Sequence, residues 1–248
     1  MVSEVGELIE LQQNPSKAKT KLKNAIGYFN SGKFESALNT IDESLSDQPN
    51  FAEAWLMKGI ISAKLGLCNE SIKFFDKVIE LNPTSSDAFR LKGAALTMQD
   101  QHAKATECFA KSIELEPDNL ELRLNLGASL RKQRRFDEAL QCYQEALKQR
   151  PDNAQLQYFI GIALADKSEY EKALVSFDEA IKLLPGYNDA QLSKGYVLAK
   201  LGRTEEAKQC FCQVLGTKEE SAKSNEIMCL SLNEACRNDY EAARNRFK

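Results

Sequence analysis

Proline recurs at positions 49, 83, 117, 151 and 185, each thirty-four residues after the last. Gly59, Gly93, Gly127, Gly161 and Gly195 keep the same step, as do Ala37, Ser71, Ala105, Ala139, Ala173 and Ala207. A fixed period in this range marks a repeat array, in which each unit buries its apolar face by stacking on a neighbour. An array of copied units has no inherent single centre for chemistry. The period therefore directs attention to binding rather than catalysis.

One unit, residues 52–85, shows how the columns arise. Trp55, Gly59 and Ser62 fall at i, i+4 and i+7, one face of a helix. The chain breaks at Leu65-Gly66, and a second helix carries Ser71, Phe75 and Val78 on one face. That helix ends at Leu81-Asn82-Pro83, because proline lacks an N–H and its ring clashes with the preceding turn. Small residues such as Gly127, Ala139 and Ala146 predict close approach of two antiparallel helices. Phe75, Phe109, Tyr143, Phe177 and Phe211 are expected to fill the wedge toward the next repeat.

These small-residue, aromatic and proline columns resemble those of the tetratricopeptide repeat family. The resemblance covers residues 18–221 as six units, 18–51, 52–85, 86–119, 120–153, 154–187 and 188–221. The first unit departs from it with Ala25 in the glycine column and Ile41 in the aromatic one, and the sixth with Glu219 in place of proline. The resemblance implies an all-α fold, a right-handed superhelical α-solenoid of helix–turn–helix repeats. Residues 1–17 read as an N-terminal capping segment. Its amphipathic stretch Val5, Leu8, Ile9 and Leu11 is expected to pack on the first repeat or to occupy a groove. Residues 222–248, with Ile227, Cys229, Leu230 and Leu232, read as a degenerate or truncated seventh repeat, or a cap.

Composition narrows the partners. The net charge is −3 with 28% charged residues, so neither nucleic acid nor an anionic membrane is an expected partner. No apolar run approaches the roughly 18–20 residues that span a bilayer. The acidic start Met-Val-Ser-Glu-Val-Gly-Glu lacks the basic-then-apolar order of a secretory signal. Of the seven cysteines, none forms a Cys-x-x-Cys pair, and Cys108, Cys142 and Cys210 share one unit position. They read as small apolar fillers in a cytoplasmic protein.

A search for chemistry yields repeat positions. The single histidine, His102, excludes an H-E-x-x-H zinc site and stands where other units carry Phe34, Phe136 and Tyr170. Gly27-Tyr-Phe-Asn-Ser-Gly32-Lys33 matches the core of a phosphate loop. Phe34 follows, however, where Ser or Thr should ligate magnesium, and the segment follows a helix rather than a strand. Asn69-Glu-Ser71 matches a glycosylation acceptor, which matters only in a secreted protein. Arg131-Lys-Gln-Arg-Arg135 reads as a solvated turn, with contact to an acidic peptide as the alternative. No catalytic residue, cofactor or metal is expected.

The first helix of each unit carries a second apolar stripe beside the one that packs. Unit positions 2, 5, 9, 12 and 13 fall within roughly a 100° arc, which the family resemblance places on the concave face of the solenoid. The stripe nominates Leu56, Ile60, Arg90, Leu124, Asn125, Arg131, Tyr158, Ile162, Leu192 and Tyr196 as a peptide-binding groove. Glu53, Asp87, Glu121 and Asp189 precede it, where acids favour the helix dipole. Family members that clamp a peptide's terminal carboxylate use five polar positions. Arg90 and Asn125 fit two of them, whereas Ala94, Gln155 and Phe159 occupy the rest, so a clamp of that kind is not expected. The expectation is a non-enzymatic scaffold that binds a peptide or amphipathic helix. A targeting segment of a larger enzyme and a self-associating array are the alternatives.

Overall fold

The structure, a computed structural model, describes residues 16–215. The capping stretch Val5–Leu11 and the seventh-repeat reading of residues 222–248 lie outside the described residues. Twelve helices are described: α1 (Lys17–Asn30), α2 (Phe34–Asp47), α3 (Ala52–Lys64), α4 (Cys68–Leu81), α5 (Ser86–Met98), α6 (His102–Leu115), α7 (Leu120–Lys132), α8 (Phe136–Gln149), α9 (Ala154–Asp166), α10 (Tyr170–Leu183), α11 (Asn188–Lys200) and α12 (Thr204–Leu215). The fold is all-α, an α-solenoid class of helix–turn–helix pairs, as the period predicts. The second helices α2, α4, α6, α8 and α10 each end two residues before a periodic proline, as α4 does at Leu81 ahead of Pro83.

The chain divides into two compact units at Ser129 and Leu130, within α7. In the first unit α1 packs on α2, α3 on α4 and α5 on α6, and each second helix also packs on the next first helix. In the second unit α9 packs on α10 and α11 on α12, again with second helices passing contact forward. First helices of neighbouring repeats touch as well: α1 with α3, α3 with α5, and α9 with α11. Each unit therefore has a layer of first helices lying side by side.

The glycine and aromatic columns meet inside one repeat. A Cβ placed on Gly59 would lie 2.5 Å from the Phe75 ring, and one on Gly161 would lie 2.6 Å from Phe177. The Phe rings of α4, α6, α10 and α12 thus lie flush on the bare backbone of their own first helices. The sequence expectation aimed the aromatic at the next repeat, as Tyr143 does in stacking on Phe159 at 5.7 Å, and did not include this contact within the repeat. The space a Cβ would need is filled by the ring, which is itself fully buried in Phe75 and Phe177. Ser62, Ser71 and Val78 are buried as the spacing predicts.

The turn after each first helix has one residue at positive φ: Gly32, Gly66, Asp100, Arg134, Ser168 and Gly202. Only three of these six are glycine, although an L-residue pays about 1–2 kcal/mol in this region.

Three backbone substitutions should shift stability. Gly59→Ala should lower stability by about 1–3 kcal/mol through overpacking against Phe75. Gly27→Ala, in α1 with nothing within 4 Å of the new Cβ, should raise it by about 0.5–1 kcal/mol through helix propensity. Denaturant melts of the two variants should thus shift in opposite directions. Ser168→Gly, which relieves the left-handed turn, should stabilise by about 0.5–1 kcal/mol once glycine's larger unfolded-chain entropy is subtracted, read as a rise in thermal midpoint.

Candidate functional site

The first-helix layer carries the predicted stripe. In the first unit, Leu56 and Ile60 of α3 and Leu124 and Asn125 of α7 are half-buried, and Ile26 of α1 is 40% exposed. Arg90 of α5 is also half-buried, but its guanidinium is committed: it donates to Asp87 at 2.8 Å and lies 3.7 Å from Glu121. It therefore stitches two neighbouring first helices along their N-terminal edge. In the second unit Ile162, Leu192 and Tyr196 are half-buried beside the core of α9–α12. The Tyr196 ring has the Lys200 ammonium 5.3 Å from its centre. Arg131 pairs with Asp166 across the C-terminal ends of α7 and α9.

Tyr158 departs from the expectation. It is 8% exposed, with ring centres 5.2 Å from Tyr187, 5.4 Å from Phe159 and 6.1 Å from Phe177. Tyr187 stands immediately before α11, and Gly186, at φ +87°, turns the chain toward it. With Tyr187 over it, Tyr158 belongs to the core rather than to an open face. Sequence spacing placed the residue correctly on its helix but said nothing of the cover supplied by the loop.

Sequence reasoning also missed a periodic ion pair. Lys58 of α3 pairs with Asp42 of α2, Lys92 of α5 with Asp76 of α4 at 2.6 Å, and Lys194 of α11 with Asp178 of α10 at 2.6 Å. Each joins a second helix to the first helix of the following repeat, sixteen residues on. Lys58 also lies 4.9 Å from the Phe74 ring centre and 5.6 Å from that of Trp55, an added cation–π attraction. Ala110 and Leu126, and Gln144 and Ile160, stand at the same two positions in the middle of the chain. The signal was present in the sequence: wherever the lysine is absent, the aspartate is absent too.

The remaining sequence candidates take structural places. His102 opens α6 and is largely covered, and Ser129 donates to its carbonyl at 2.9 Å. Gly27–Asn30 is the end of α1 and Gly32 its turn, so the segment has no strand-to-helix phosphate loop. Ser71 is fully buried, donating to the Cys68 carbonyl at 2.9 Å, which places the sequon hydroxyl inside the fold. Arg135 of the basic turn is held by Glu138 at 2.6 Å. A cleft of about 540 Å³ opens in the first unit among α4, α5 and α6, over Ile72, Leu96 and Cys108. None of the stripe residues lines it.

Burial pushes the Cys108 and Cys210 thiols up from their ordinary value, which keeps them protonated and unreactive at neutral pH. Cys68 and Cys142 are only half-buried. Alkylation at pH 8 followed by mass spectrometry should label Cys68 and Cys142 first, and Cys108 and Cys210 only on unfolding.

With this geometry in place, comparison with known proteins decides the family. Residues 124–188 and 189–221 each match a family described as tetratricopeptide repeat, and residues 20–139 match the Psidin N-terminal TPR repeats region. The chain belongs to the tetratricopeptide repeat family. No curated protein matches it. Among solved structures, PilW, described as a type IV pilus biogenesis factor, is 18% identical with a TM-score of 0.72, covering 87% of this chain and 100% of that one. MamA is 23% identical with a TM-score of 0.63, covering 67% and 91%. YrrB, described as a TPR protein with an unusual peptide-binding site, is 19% identical with a TM-score of 0.59, covering 75% and 96%. At these identities the shared property is the fold. No helix among the described residues is long and apolar enough to cross a membrane.

Proposed function

We propose that this protein is an interaction scaffold of six repeats, residues 18–221, and that a peptide or amphipathic helix binds on the first-helix layer of a unit. The observation that carries this reading is the retention of Leu56, Ile60, Ile162, Leu192 and Tyr196 at partly exposed positions. The neighbouring columns satisfy the packing, and a purely solvated face gains nothing from apolar side chains there. Half-buried Leu, Ile and Tyr side chains offer contact area that a partner can finish burying. YrrB, of the same fold, is described as having a peptide-binding site. Cys108 and Cys210 fill buried core positions as small apolar side chains, a usage that suits a reducing compartment such as the cytoplasm. The role is read as binding rather than catalysis, because the two arginines of the stripe bridge neighbouring first helices, Arg90 to Glu121 and Arg131 to Asp166.

Peptides selected from a displayed random library should be rich in apolar residues. Their affinity should fall about 10-fold or more in a Leu56→Ser, Ile60→Ser variant or in Tyr196→Ser, as expected when anchors worth about 1–2 kcal/mol each are removed. Val175→Ser, at a 70% exposed site on a second helix, should leave binding unchanged. Titration by fluorescence anisotropy checks this. Equal affinity across all the variants would remove the first-helix face from the binding role.

A further inference from the structure

The first-helix face of the first unit is electrically polar along its length. Helix α1 has no acidic residue in its first turn and carries Lys17 and Lys19 there, with Lys21 and Lys23 following. Cations at a helix N-terminus oppose the helix dipole and cost stability, so helix formation does not explain them. Lys21 is explained by Asp47, 2.8 Å away, and Glu43, 3.4 Å away. Lys19 and Lys23 are exposed and make no ion pair among the described residues. At 100° per residue Lys19 lies about 20° and Lys23 about 60° from Ile26, both on the side away from Leu22, so Lys19 stands on the arc of the proposed binding face and Lys23 at its margin.

The same edge reverses sign in the following repeats. The positions equivalent to Lys19 are Glu53 in α3, Asp87 in α5 and Glu121 in α7, all exposed. Arg90 neutralises one charge of the Asp87–Glu121 pair, leaving a net of about −2 on this edge together with Glu53, against +2 from Lys19 and Lys23. Lys64 closes α3 at the opposite edge, eleven residues and about 16 Å from Glu53, and does not cancel the acidic rim.

We propose that this face takes an apolar peptide in one direction, with an acidic end against Lys19 and Lys23 and a basic end toward Glu53, Asp87 and Glu121. The inference rests on the peptide-binding reading and adds polarity and orientation to it. Neighbouring helix axes lie about 8–10 Å apart, so the three steps from α1 to α7 span about 24–30 Å. An extended segment of about eight or nine residues covers that distance.

The test uses the full chain and two synthetic probes with the same apolar centre. One is neutral at both ends. The other carries two glutamates at one end, with a photo-crosslinker beside them, and two lysines at the other. The dipolar probe should bind about 5–10-fold tighter in 50 mM salt. That advantage should collapse in 1 M salt, where the screening length falls to about 3 Å. Its crosslinks should map to α1, and the advantage should vanish in a Lys19→Glu, Lys23→Glu variant whose helix content is checked by circular dichroism. Equal affinity of the two probes, or crosslinks at α7, overturns the orientation while leaving apolar binding intact. Failure of the neutral probe to bind at all overturns the underlying reading instead. A second copy on the face would show as a probe-sensitive dimer in sedimentation. The chain's own Glu4, Glu7 and Glu10 as occupants would show as probe binding that emerges only after their change to Gln. Either result overturns a separate peptide as the occupant.

Discussion

Contact between a bare glycine Cα and an aromatic ring sets the geometry of the repeats. Gly59 with Phe75, Gly93 with Phe109, Gly161 with Phe177 and Gly195 with Phe211 bring each helix pair close enough that a single added methyl would overlap the ring. That closeness fixes the orientation of the first helix about its own axis. Once one face is committed to the glycine contact, the residues five and nine positions into the unit turn toward the layer of first helices. The partly exposed stripe is therefore a geometric consequence of the packing, and its apolar content is what requires a separate explanation.

Much of this was legible before any coordinates. The positions of helix ends follow from proline and from turn residues, and both act over two or three neighbours, so sequence reports them faithfully. Gly59, Ser62, Ser71 and Val78 sit where their spacing puts them. What failed had a longer reach. The burial of Tyr158 depends on Tyr187, twenty-nine residues away, carried in by a loop whose path turns at Gly186. No periodicity on α9 encodes that cover. The contact of Phe75, Phe109, Phe177 and Phe211 with the glycine of their own repeat was missed for a related reason, although Tyr143 does stack on Phe159 of the next repeat: a column shows that a residue is constrained and not which neighbour constrains it.

The Asp42–Lys58, Asp76–Lys92 and Asp178–Lys194 pairs show a different limit. They hold second helices to first helices across repeat boundaries, yet they break the column rule, because the middle repeats substitute Ala110 with Leu126 and Gln144 with Ile160. Reading down single columns discards such variation as noise. Reading two columns together recovers it, since charge and absence of charge change in step. The same habit exposes Lys19 and Lys23, which stand out only against Glu53, Asp87 and Glu121 in the equivalent places.

The paired columns also bear on how a chain of this kind can change over generations. Tandem repeats gain and lose units when misaligned copies recombine, and each such event creates a new neighbour pair. Loss of residues 52–85 would bring Asp42 against Lys92, and loss of residues 120–153 would set Ala110 against Ile160. Both junctions remain matched. Loss of residues 86–119 would instead set Asp76 against Leu126, leaving a carboxylate beside an apolar side chain. The order of repeats is thus written into their seams, and only some shorter descendants of this array would inherit joints that fit.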